Sequence, residues 1–173
     1  MRIDHMQTNS TSRSAILIIA IAAMLSLAGC GNSESDSQAT GIGAENMAKG
    51  KAFLAENATK EGVITLPSGV QYKVIRDNYE GKVPKLTDNV HLHLKMSLID
   101  GTVINDSNPS GKPVELYIKH TIGGWKKVLT RMNVGSKWIV YIPPHMAFSS
   151  RGNENVGPNE TLICEIELLD IIW

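Results

Sequence analysis

No stretch of the chain is apolar for the roughly 20 residues that a bilayer-spanning helix needs. The longest apolar run, Ala15 to Ala28, is broken by Ser26 and is too short to cross a membrane as a helix. An excess of one charge is missing too. The 17 Lys and Arg balance the 17 Asp and Glu, which leaves no basic footprint for a nucleic acid. Cysteine is scarce, with Cys30 and Cys164 the 2 present. No glycine loop built to cradle a phosphate occurs, and no internal repeat. Ser149-Ser150 lacks the Gly-x-Ser-x-Gly setting of a hydrolase nucleophile.

What is present begins with an address. Arg2 and Arg13 precede the apolar run, which has the length and flanks of a secretory signal; Met6 serves equally well as its start. The run ends Leu27-Ala28-Gly29-Cys30, which resembles a bacterial lipobox, so residues 1–30 read as a lipoprotein signal peptide with Cys30 as the lipidated residue. Several acyl chains on one N-terminus anchor a protein stably where one chain is marginal. Gly31 stands where an Asp would suggest retention at the inner membrane. The expected location is therefore the periplasmic side of a bacterial envelope, at the outer membrane rather than the inner. With Cys30 acylated, Cys164 has no partner for a disulfide and reads as a buried, inert thiol.

Residues 31–43 are Asn, Ser, Asp, Gln, Thr and Gly with one Ile, and read as a flexible tether. Residues 44–62 are rich in good helix formers and predict a short helix stopped at Gly62. The remainder, 63–173, has the size of one domain. Its periodicity is mostly two. Strands are predicted over 70–75, 90–98, 102–104 after an Asp100-Gly101 hairpin turn, 114–118, 137–142 and 162–168. One helical segment interrupts them, with apolar residues at Trp125, Val128, Leu129 and Met132. Gly123-Gly124 just before it allows either a tight turn or a close approach of chains. The tryptophan is either a core residue at a helix start or the floor of a pocket. Antiparallel strands with one central helix imply an α+β domain, whose concave sheet face is where an apolar pocket forms.

Taken in order, the pieces form a pattern. Leu66-Pro67-Ser68-Gly69-Val70-Gln71-Tyr72-Lys73-Val74 is followed by Leu98-Ile99-Asp100-Gly101-Thr102-Val103 and Ile122-Gly123-Gly124-Trp125. Then come Val134-Gly135-Ser136-Lys137-Trp138, Ile142-Pro143-Pro144 and Gly157-Pro158-Asn159. Over residues 50–171 this closely resembles FKBP-type peptidyl-prolyl cis-trans isomerases, in particular the secreted bacterial branch related to macrophage infectivity potentiator. The resemblance implies an antiparallel sheet of five to six strands wrapped on one short helix, with X-Pro segments of folding proteins as partners and no cofactor or metal. It implies a monomer, because only the last helix of that branch's dimerisation region is accommodated. The loop from Pro143 to Asn159 is too short for the inserted chaperone domain of some members.

The resemblance also distributes roles. Trp125 becomes the cradle floor, the main-chain N–H of Ile122 a substrate donor, Thr121 its neighbour at the pocket loop, and Val156 an apolar flap residue. Other positions depart from the family's pattern. Its Phe-Asp pair is Ile104-Asn105 here, with Asp106 one place late and able to take the Asn105 role if the frame shifts. Leu94 and Phe148 replace tyrosines, and Val114 and Cys164 replace rings. The cradle is thus expected to be apolar with a less polar rim, and isomerisation to be weakened; a proline-binding module or holdase without turnover is the alternative. His91 and His93 share a strand face, but two histidines at this spacing without a cysteine partner read as solvated. His120 and His145 read as rim residues without an acid-base role.

Overall fold

The computed structural model describes residues 33–172. The signal sequence, Cys30 and Gly31 lie outside the described residues. The first helix, α1 (Ser33–Asn57), is 25 residues long and covers positions 33–43 of the expected tether as well as most of the helix expected over 44–62. Gly41 and Gly43 suggested flexible chain, yet Gly43 and Gly50 are the buried points of closest approach. A β-carbon on Gly43 would lie 3.2 Å from Asn159 Nδ2, and one on Gly50 would collide with the Thr161 hydroxyl. The helix stops at Asn57 rather than Gly62 because the Asn57 side chain is drawn into the domain, where Nδ2 donates to Gln71 Oε1 at 2.9 Å. Gln71 Nε2 in turn donates to the Leu54 carbonyl at 2.8 Å.

Seven strands follow: β1 (Val63–Thr65), β2 (Gln71–Arg76), β3 (Asn89–Leu98), β4 (Val103–Asp106), β5 (Val114–Tyr117), β6 (Lys137–Ile142) and β7 (Leu162–Ile172). The three-residue β1 is the addition to the six expected. It hydrogen-bonds along β2, pairing Ile64 with Tyr72. All pairs are antiparallel, in the order β1-β2-β6-β7-β3-β4, with β5 sharing the same edge of β3 as β4. This is the α+β architecture of a sheet wrapped on a short helix. The Asp100-Gly101 hairpin closes with Leu98 N–H donating to Thr102 O at 2.9 Å, and Gly101 takes φ +90°.

The alternation in the strands builds one core. Leu92, Leu94 and Met96 of β3, Trp138, Val140 and Ile142 of β6, and Leu162, Cys164, Ile166 and Leu168 of β7 all turn inward. Against them lies α2 (Gly123–Leu129), which starts two residues before the expected Trp125 and buries Val128 and Leu129. Met132 is also buried, and its amide still donates to Val128 O at 3.0 Å beyond the last full turn. Of the two options that Gly123-Gly124 left open, close approach is the one realised. A β-carbon on Gly124 would sit 2.5 Å from Ile142 Cγ2, and one on Gly123 would sit 3.0 Å from Met146 Cε.

Candidate active site

Gly124 lets α2 lie flat on β6, and that sets the height of the next residue, Trp125. The indole is half-buried: it packs on the core and is not sealed beneath it. Its Nε1–H donates to the Cys164 thiol at 3.5 Å. Cys164 itself is fully buried on the inner face of β7, and burial pushes its thiol up to about 12, against a smaller downward pull from the Trp125 N–H. It stays protonated and inert at neutral pH. The sequence-based role of Cys164 as a substrate contact is therefore corrected: it props the indole from below.

The wall beside the indole comes from β3 and β4. Directly opposed residues of an antiparallel pair share a sheet face. Met96 faces Cys164 across one ladder and Asn105 across the other, so Asn105 stands on the concave side above buried Met96, with its amide exposed. The register slips between Met96 and Ser97, leaving Ile104 as the extra residue of a bulge, packed on the core. Two consecutive residues, Ile104 and Asn105, thus serve the same face. Asp106 does not join them. It pairs with Lys95 on the outer face, and its carboxylate accepts from the Asn108 amide at 2.9 Å and from Asn108 Nδ2 at 2.7 Å. These bonds from Asn108 hold the Asp106 carboxyl below its ordinary range. Its expected role in substrate binding, or as a stand-in for Asn105, is corrected on this ground.

Ile122 caps the start of α2 in extended conformation, φ −62° and ψ 156°. Among the described residues its amide donates to no main-chain or side-chain acceptor. Thr121 spends its hydroxyl proton locally, donating to Ile118 O at 2.8 Å, so at the entry to Ile122 its oxygen is left as an acceptor. Phe148 packs half-buried on the core from the loop after β6. Val114, opposite Leu92, lies on the inner face too. Leu94 and Val156, expected as substrate contacts, are 3% and 2% exposed and belong to the buried core, so that expectation is corrected: they lie beneath the surface that a substrate could touch. Met96 and Met146 were not anticipated beside the site. Met96 was legible from strand alternation, being buried on β3; Met146, in an aperiodic loop, carried no signal. His91 Nε2 lies 4.0 Å from Glu115, and His93 Nδ1 lies 3.2 Å from the Ser107 hydroxyl.

The arrangement is an apolar shelf with one free main-chain donor at its edge. Among the described residues it holds no nucleophile beside a base, and the Cys164 thiol is buried and protonated. It is suited to holding an apolar ring and orienting a peptide carbonyl.

Comparison with known proteins bears on the same residues. Residues 80–169 match the family described as FKBP-type peptidyl-prolyl cis-trans isomerase. Residues 7–74 match the domain amino-terminal to FKBP-type peptidyl-prolyl isomerase. The chain is 42% identical over 128 residues to "Outer membrane protein MIP" of Legionella longbeachae, covering 73% of this chain and 54% of the relative. It is 44% identical over 126 residues to the FKBP-type 22 kDa peptidyl-prolyl cis-trans isomerase of Escherichia coli (strain K12), covering 72% and 61%. It thus spans little more than half the length of these curated relatives. Among solved structures, the crystal structure of FkpA from Escherichia coli superposes with a TM-score of 0.76 at 33% identity, over 79% of this chain and 64% of that one.

Proposed function

Because the chain belongs to the FKBP-type peptidyl-prolyl cis-trans isomerase family, we propose that residues 63–172 bind X-Pro segments and speed rotation about the prolyl amide. The observation that carries this reading is the half-buried Trp125 beside the Ile122 amide, which has no acceptor among the described residues. The rotation faces a barrier of about 18–20 kcal/mol because resonance holds the amide planar. Lowering it takes no bond-making. An apolar cradle desolvates the imide and favours the twisted form, in which resonance is lost. Trp125 offers the ring face for proline, since its N–H is engaged by Cys164. Ile122 N–H is then the donor that fixes the neighbouring carbonyl. Ile104, Val114 and Phe148 exclude water around the ring.

The protein acts, in this reading, as a monomer on envelope or secreted proteins, held at the periplasmic side of a bacterial envelope by a lipid on Cys30. The lipobox-like Leu27-Ala28-Gly29-Cys30 supports the anchor, and the printed name of the Legionella relative supports the outer membrane. Among the described residues no helix is long and apolar enough to cross a membrane.

The test is NMR exchange or a protease-coupled assay on a short X-Pro peptide with the form lacking residues 1–30. Saturable acceleration is expected, falling at least tenfold, about 1.4 kcal/mol, in Trp125→Ala. Saturable binding without acceleration would leave the second reading, a proline-binding module or holdase. That reading draws on Asn105, which has no carboxylate charge, and Phe148, which has no hydroxyl. Asn105→Asp with Phe148→Tyr is expected to raise turnover. No gain would refute the polar rim as the reason for weakened isomerisation.

A further inference from the structure

The outer face of α2 bears a second feature that the proline cradle does not use. Positions 123, 126, 127, 130 and 131 follow helical spacing on the face away from the core. With Leu86 and Met146 they line a hollow of about 340 Å³ whose walls are largely apolar and whose charged groups come from α2 and the turn after it. Lys126, Lys127 and Arg131 are its three cations. Among the described residues the ion pairs are Lys49–Glu45, Lys60–Glu56, Arg76–Glu167, His91–Glu115 and Lys137–Glu165, so none of the three cations meets a carboxylate.

Folding gives no full account of this charge. The helix C-terminus favours cations in its last turn, which explains one lysine or two. Arg131 lies two residues past the end of α2, where its guanidinium donates to the Lys127 carbonyl at 2.6 Å and so caps the helix. Neither effect explains the wider pattern. From Leu116 to Asn153 the chain carries Lys119, Lys126, Lys127, Arg131, Lys137 and Arg151 and not one Asp or Glu, in a protein of zero net charge. The acids are placed elsewhere, on both sides of this segment.

The hollow adjoins the cradle. Gly123 lines it and directly follows Ile122, whose amide has no acceptor among the described residues, and Met146 packs against Gly123 to form the seam. A peptide advances about 3.3–3.6 Å per extended residue, so one anchored at Ile122 N–H reaches the cations within a few residues. We propose that Lys126, Lys127 and Arg131 form a subsite for an acidic side chain, Asp or Glu, a few residues from the proline of the bound segment. This deepens the proline-binding reading and rests on it. The three residues select among X-Pro segments and take no part in the rotation.

The test uses the full chain in a non-ionic detergent, with a neutral X-Pro peptide and versions carrying Glu, Gln or Lys at each of the positions flanking the X-Pro pair. Glu is expected to exceed Gln in kcat/KM by roughly three- to tenfold at one position, the scale of a few exposed ion pairs acting together. The ratio is expected to shrink at high salt. It falls to near one in K126Q/K127Q/R131Q and turns in favour of Lys in K126E/K127E. Equal rates for Glu and Gln at every position, with the neutral peptide turned over, overturn the subsite. A Glu preference that survives neutralisation overturns it as well. If the neutral peptide is not turned over, the isomerase reading fails by itself, and the same ratios measured as Kd by NMR titration still decide the subsite. Binding to phosphatidylglycerol vesicles that the neutral variant loses, without discrimination among peptides, assigns the cations to a lipid surface and overturns the proposal.

Discussion

Cys164 shows how one buried atom governs a site it does not reach. Its thiol takes the Trp125 N–H, so the indole is held flat and its polar edge is spent. Because burial raises that thiol from 9.0 to about 12, the folded protein keeps the proton where the unfolded chain has released it. The resulting stability is complete below pH 9 and is lost as pH rises toward 12. The expected loss is on the order of a few kcal/mol. Urea denaturation of the wild type is expected to show a steeper decline across that window than Cys164→Ala; parallel curves would contradict it. The residue pattern made Cys164 legible as buried. That it supports the tryptophan was not legible, because the two are far apart in sequence and meet only when α2 packs on the sheet.

Helices and strands were read with uneven success, and the failures have physical causes. β6 was read to the residue, and β3 nearly so, because a half-buried strand writes its period into the sequence. The extent of α1 was misread because Gly41 and Gly43 look like linker. The glycines of α1 differ in role: nothing lies within 4 Å of a β-carbon at Gly41, whereas one at Gly43 would lie 3.2 Å from Asn159 Nδ2 and one at Gly50 meets buried Thr161. Gly41→Ala is therefore expected to stabilise the protein by about 0.5–1 kcal/mol through helix propensity. Gly50→Ala, the same substitution in the same helix, is expected to destabilise it by about 1–3 kcal/mol through overpacking. Thermal melts of the two variants check the opposite signs, and a shared sign would show that α1 does not dock here as described. Docking reaches the site loop as well, since Asn46 Nδ2 donates to Pro158 O at 3.0 Å and Asn159 Nδ2 to Gly43 O at 3.1 Å.

At the scale of the whole molecule, a balanced net charge conceals a segregated one. The segment that carries α2 and the following loop is free of acids, while the acids flank it in sequence. The proposed anchor belongs to this scale too. Cys30→Ser is expected to abolish incorporation of labelled fatty acid into the protein, which the wild type incorporates. Labelling that persists in the variant, or is missing from the wild type, would count against the lipid on Cys30.

Local pattern alone was enough for the strand faces, the central helix with Trp125, and the order of pieces that marks the family, because hydrophobic period and turn chemistry are properties of adjacent residues. Three matters were settled only by tertiary packing: that Asn105 rather than Asp106 joins the concave face, that Cys164 lies under the indole, and that the linker-like glycines of α1 include contact points. Each depends on a bulge, a crossing or a close approach between segments remote in sequence. Such geometry exists only once the chain has folded on itself.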